Sequence, residues 1–104
     1  MDKIYQESLL FDFYGELLTK RQKDIYEEAV FNDYSLSEIA EEYGISRQAV
    51  HDLVKRAGKT LEGYEEKLLL VHKFLFLKSK VQEIQQLTDD DRIRKLSEEI
   101  LEEL

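Results

Sequence analysis

A chain of 104 residues, 42% hydrophobic and 37% charged, is globular by composition and long enough for one hydrophobic core. It has no cysteine, which excludes disulfides and thiolate metal sites, and no proline and only four glycines, which leaves little to punctuate strands. The net charge of −8 weighs against a nucleic-acid partner, but the charge is unevenly spread: net −7 over residues 1–44, +4 over 45–80 and −5 over 81–104. With screening lengths of about 8–10 Å, a cationic middle can set a local field opposed to the global one.

In chain order, Asp2–Leu18 reads as a helix. Its apolar residues Ile4, Tyr5, Leu9, Phe11, Phe13, Tyr14, Leu17 and Leu18 cover more than one stripe and predict burial of more than one face. Thr19 with Gln22 forms a capping box that opens a second helix carrying Ile25, Tyr26, Ala29 and Val30 on one side, and Asn32-Asp33 ends it. Ser35 with Glu38 is a second capping box, for a short helix with Ile39, Ala40 and Tyr43. Gly44 stops that helix, because the position after a helix C-terminus favours a residue that tolerates positive φ. Ser46 caps the next helix, whose buried face is expected at Ala49, Val50, Leu53 and Val54. From Thr60 the spacing of Leu61, Tyr64, Leu68, Val71, Leu75, Val81 and Ile84 predicts one long helix to about Leu87. Thr88 then caps a last amphipathic helix with Ile93, Leu96, Ile100, Leu101 and Leu104.

The stretch Ser35–Gly58 meets the demands of a helix-turn-helix. Two helices crossing at roughly 90–120° need a small residue at the crossing, a glycine-like turn and apolar residues to close the pocket. Ala40, Gly44, and Ile39, Ile45, Val50 and Leu53 supply these in turn, and Ser46 starts the second helix at once. The face of that helix turned from its apolar side presents Ser46, Arg47, Gln48, His51, Asp52, Lys55, Arg56 and Lys59. Residues at the start of such a helix reach base edges in a major groove; Arg47 suits guanine and Gln48 suits adenine. Lys55, Arg56 and Lys59 suit phosphates, and Asp52 is awkward among them. The nucleic-acid site expected is therefore Ser46, Arg47, Gln48, His51, Lys55, Arg56 and Lys59, with DNA and RNA both open as ligand. The competing reading is a solvated or protein-facing helix.

Elsewhere the chemistry is sparse. His51 and His72 stand 21 residues apart with no second histidine at i+4, so no zinc site is expected. Asp89-Asp90-Asp91 sits at a helix start, where acids favour the helix dipole and Asp91 completes the box begun by Thr88. No phosphate-cradling glycine loop or nucleophile elbow is present, and neither an enzyme nor a cofactor is expected. The first residues, MDKIYQES, lack a signal-peptide pattern, and the longest apolar stretch, Leu68–Leu77, is about half a bilayer span. A cytoplasmic protein without membrane insertion is expected. That same stretch is apolar around most of its helix, which calls either for burial between the first and last helices or, as the preferred reading, for a homodimer seam.

LTKRQKDIYEEAVFNDYSLSEIAEEYGISRQAVHDLVKR resembles region 4 of sigma factors, the helix-turn-helix that reads promoter DNA. With FDFYGELLTKRQ before it and LEGYEEKLLLVHKF after it, the chain resembles the YlxM family of proteins associated with the bacterial signal recognition particle, over roughly residues 9–76. The run ISRQAVHDLVKR followed by YEEKL is the most telling, since generic sigma-like domains do not continue this way. The resemblance implies an all-helical, dimeric protein with a sigma-region-4-like core and added N- and C-terminal helices. It implies a regulatory or accessory part in co-translational targeting, beside the particle's GTPase and its receptor. It brings no catalytic residue, and without core-polymerase-binding regions it does not imply a promoter specificity factor. By position, Arg47, Gln48, His51, Lys55 and Arg56 carry any nucleic-acid contact; the alternative is an adaptor that binds the targeting GTPase through the same helix. One domain over 1–104 is expected, with the core at about 19–59 and a helical extension over 60–104.

Overall fold

The computed structural model describes residues 2–104, and among them the chain is all-helical, as the composition and spacing predict. The helices are α1 (Lys3–Tyr14), α2 (Lys20–Val30), α3 (Leu36–Tyr43), α4 (Arg47–Leu68), α5 (Leu70–Leu87) and α6 (Asp91–Glu103), with a 3-10 turn at Gly15–Leu17 between α1 and α2. No helix among the described residues is long and apolar enough to cross a membrane. The chain divides into two compact units, one up to Leu68 and one from Leu69 onward.

Local hydrogen bonds set the starts of α2 and α3. The Thr19 hydroxyl accepts from the Gln22 N–H at 3.2 Å, and the Gln22 side chain accepts from the Thr19 N–H at 3.0 Å. Ser35 and Glu38 repeat the arrangement at 3.0 and 3.1 Å. Each box satisfies two backbone donors that a helix end leaves without intrahelical partners. The last turn of α2 closes with the Phe31 N–H on the Glu27 carbonyl, and Asp33 then turns the chain with a left-handed φ of 57°. Gly44 ends α3 at φ 66°, ψ 35°, a left-handed conformation that glycine adopts freely and that costs a residue with a Cβ about 1–2 kcal/mol.

The first unit packs α1, α2 and α3 around α4. Ile25 of α2, Ile39 and Ala40 of α3 and Val50 of α4 form its centre, ringed by Ala29, Leu36, Tyr43, Ile45, Leu53 and Val54. Ala40 is the small residue at the crossing, as its place in the motif demands. Further along α4, Ala57 and Leu61 are buried too. Tyr14, 1% exposed, ties α1 to that half: its hydroxyl donates to Glu65 Oε1 at 2.6 Å, and its ring stacks on Tyr64 at 5.9 Å. Phe11 of α1 stacks on Tyr26 at 5.7 Å and meets Phe31 edge-on at 5.3 Å. So α1 buries Leu9 and Tyr14 and sinks Phe11 and Phe13 halfway, while Ile4 and Tyr5 near its start stay exposed.

Burial of the Tyr26 phenol, with the charges of Glu7 and Glu62 adding to it, pushes its pKa from 10.0 up to about 12. A raised folded-state pKa stabilises the fold fully below pH 10 and loses that contribution as pH rises through about 12. Denaturant midpoints should therefore fall between these values more steeply in the wild type than in Tyr26→Phe, and parallel curves would contradict the assignment.

Three expectations are corrected. No helix boundary falls at Thr60: α4 runs unbroken from Arg47 to Leu68, and the break comes at Leu69, which is left-handed at φ 55°. Apolar spacing continues across Leu68–Leu70, so periodicity alone does not register a break that neither glycine nor proline announces. The last helix is capped by Asp90, whose carboxylate accepts from the Arg92 and Ile93 N–H groups at 2.8 and 3.4 Å. Thr88 ends α5 instead, and its hydroxyl accepts from the Asp90 N–H at 3.1 Å. Ala49, placed on the buried face by the sequence, is exposed; it lies a 100° step from Val50, at the edge of the core-facing arc.

Candidate nucleic-acid interface

The turn from Gly44 to Ser46 and the packing of Val50 against Ile39 and Ala40 set how α4 emerges. With Val50, Ala57 and Leu61 facing inward, the 3.6-residue period turns Gln48, Asp52, Lys55 and Lys59 outward in one row. His51 and Arg56 flank that row, and Arg47 stands at its head. All seven expected site residues, Ser46, Arg47, Gln48, His51, Lys55, Arg56 and Lys59, are exposed, and all but the capping Ser46 lie on this one helix. At 1.5 Å per residue the row from Gln48 to Lys59 is about 16 Å long, roughly half a turn of duplex DNA.

Ser46 is committed to structure: its hydroxyl accepts from the Ala49 N–H at 3.0 Å and its carbonyl from the Val50 N–H at 3.1 Å. A concavity of about 370 Å³ brings Arg47, Gln48 and His51 together with Leu36 of α3. One of about 250 Å³ is lined by Lys55, Arg56, Lys59 and Asp52. The site thus has two parts on one helix, a polar mixed head and a cationic tail. Asp52 joins them: it accepts from the Gln48 amide at 3.0 Å and lies 3.5 Å from His51 Nδ1. This bond holds the Gln48 amide group, so reading a base edge with it requires the bond to break or to leave the amide oxygen available. Lys55 and Lys59 also border a groove that contains Glu7 and Glu62, the acidic limit of the cationic surface.

Two neighbours of the site were not assigned to it from the sequence, which placed Ala49 on the buried face. Ala49 adds a methyl beside Gln48 on the exposed surface, of the kind that can meet a thymine methyl. Leu36 forms a wall of the head concavity, which only the fold reveals, because it comes from the preceding helix.

Residues 1–103 match the family model described as "Putative helix-turn-helix protein, YlxM / p13 like". A UPF0122 protein of Acetivibrio thermocellus is 48% identical over 114 residues, covering 100% of this chain and 97% of the relative. One of Bacillus pumilus is 42% identical over 104 residues, with coverage of 100% and 94%. The UPF0122 protein YlxM of Bacillus subtilis is 53% identical over 74 residues, 71% of this chain and 67% of that protein. With a helix-turn-helix at its centre and relatives matched along its whole length, the chain belongs to the UPF0122 family of YlxM-like helix-turn-helix proteins.

Proposed function

We propose that this is a non-catalytic, cytoplasmic nucleic-acid-binding protein of regulatory or accessory role, acting as a homodimer, with the first half of α4 as its reading helix. The observation that carries the reading is the exposed row on α4. Residues 46–59 hold Arg47, Lys55, Arg56 and Lys59 against Asp52 alone, a net of +3 in a chain of net −8. A cationic helix face set out by a helix-turn-helix in an acidic protein concentrates attraction for phosphates on one surface and repels them elsewhere. The resemblance to the YlxM family adds components of the signal recognition particle as partners. A helix enters the major groove of B-form DNA readily but not the deep, narrow groove of A-form RNA, so an RNA ligand would be met at phosphates and loops.

The test is binding of a fluorescein-labelled DNA duplex and of a structured RNA hairpin across a salt series. Three or four phosphate contacts predict that log K falls against log salt with a slope of about −3 on duplex DNA. A flat salt response, together with a lysate partner that survives nuclease, would replace this reading with the adaptor that binds the targeting GTPase.

A further inference from the structure

The second unit leaves an anomaly on α6. Its most buried residue is Ser97, 3% exposed, whose hydroxyl donates to the Arg94 carbonyl at 2.7 Å. Ile93, Leu96 and Ile100 are 42%, 56% and 49% exposed. Ser97 and the half-buried Leu101 define the face turned toward α5, and the 100° step rotates the row Ile93–Leu96–Ile100 to one side of it. On α5, Leu77, Ile84 and Leu87 are exposed as well. At on the order of 200 Å² for a large side chain, these six residues leave roughly 600 Å² of apolar surface. A standard stable interface takes about 800 Å² from each partner, of which roughly 500 Å² is apolar.

Charge along α6 says what occupies that face. The first half carries Asp91, Arg92, Arg94 and Lys95, net +2, and the second half Glu98, Glu99, Glu102 and Glu103, net −4. Helical phase sets Arg92, Glu99 and Glu103 along the same edge of the apolar row, on the side away from Ser97. In an antiparallel two-fold pair that edge lies against its own copy, with opposite charge at both ends and Glu99 near the partner's Glu99 at the middle. In a parallel pair it would face the Ser97 side of the partner helix, away from those charges. A two-fold axis near residue 98 places Leu96 against the partner's Ile100 and Arg92 beside the partner's Glu103. The surface is therefore self-complementary in one orientation, as a two-fold interface requires.

We infer that α6 forms the centre of the homodimer, pairing antiparallel with α6 of a second copy while Leu77, Ile84 and Leu87 of α5 extend the apolar seam. This rests on the homodimer stated above, centres its seam on α6 in place of the Leu68–Leu77 stretch expected from the sequence, and adds a direction. The lack of cysteine allows a clean test. Chains carrying Arg92→Cys and chains carrying Glu103→Cys, mixed and mildly oxidised, should give a cross-linked heterodimer, with little self-linkage in either chain alone. In sedimentation, Arg92→Glu and Glu103→Arg should each weaken the dimer about tenfold, because each change acts twice across the axis; the combined variant should recover to within about threefold. Self-linkage of Arg92→Cys chains with no heterodimer formed would rule out the antiparallel pairing of Arg92 with the partner's Glu103. A dimer indifferent to all these changes would place the seam elsewhere and keep the homodimer. A monomer at 100 μM or so would overturn both.

Discussion

Replacing Lys55 and Arg56 together by alanine should weaken DNA binding roughly ten- to a hundredfold near physiological salt and flatten the salt slope by about 2. Both side chains stand exposed on the cationic half of α4 beside Lys59, where the proposed function has them neutralise phosphates rather than read bases. The loss should thus be nearly the same on every duplex sequence. Neither side chain takes part in the buried centre, so melting should move little. A charge-matched control, Lys20→Ala with Arg21→Ala on α2, makes the protein equally more acidic. Equal weakening in the control would show that net charge, and not this surface, governs binding, and the site assignment would fall.

Ile39→Ala should cost about 3 kcal/mol and lower the melting temperature of the first unit by about 15 °C. Ile39 is fully buried and shares the centre with Ile25, Ala40 and Val50, where α2, α3 and α4 meet. Removing three of its side-chain carbons leaves a void that three rigid helices cannot close. Small domains have about 5–15 kcal/mol in all, so much of the stability would go, and α4 would lose the packing that aims its exposed face. Calorimetric loss below 1 kcal/mol or so would mean that the crossing does not depend on this side chain.

What the sequence reveals of this fold is what depends on near neighbours. The two capping boxes, the left-handed Gly44 and the Ser46 cap each involve groups within a few residues, so their chemistry is readable directly. The crossing of α3 and α4 is legible as well, since a small residue, a glycine turn and apolar closers recur at set offsets. The left-handed Leu69 is not, because leucine has no local preference for that conformation and neither glycine nor asparagine marks the break. At α6 two capping residues competed, and Asp90 prevailed over Thr88, which the C-terminal end of α5 took. The exposed face of α4 follows from the helical period alone, so Gln48, Lys55 and Lys59 share one row, with Arg47 and Arg56 to either side of it. The Gln48–Asp52 hydrogen bond was open to an i, i+4 reading, but the contribution of Leu36 needed the tertiary fold.

The unbroken α4 has a consequence for modularity. Its first half faces outward as the candidate reading surface, and its second half is the post against which α1 is anchored through Tyr14 and Glu65. A boundary drawn at Lys59 would sever that post at mid-length and discard Leu61, Tyr64 and Glu65. The helix-turn-helix is therefore not a cassette that can be lifted from this chain and grafted elsewhere. The smallest part that keeps the shared helix whole reaches Leu68, and an insertion or deletion within α4 would rotate one of its two roles out of register with the other.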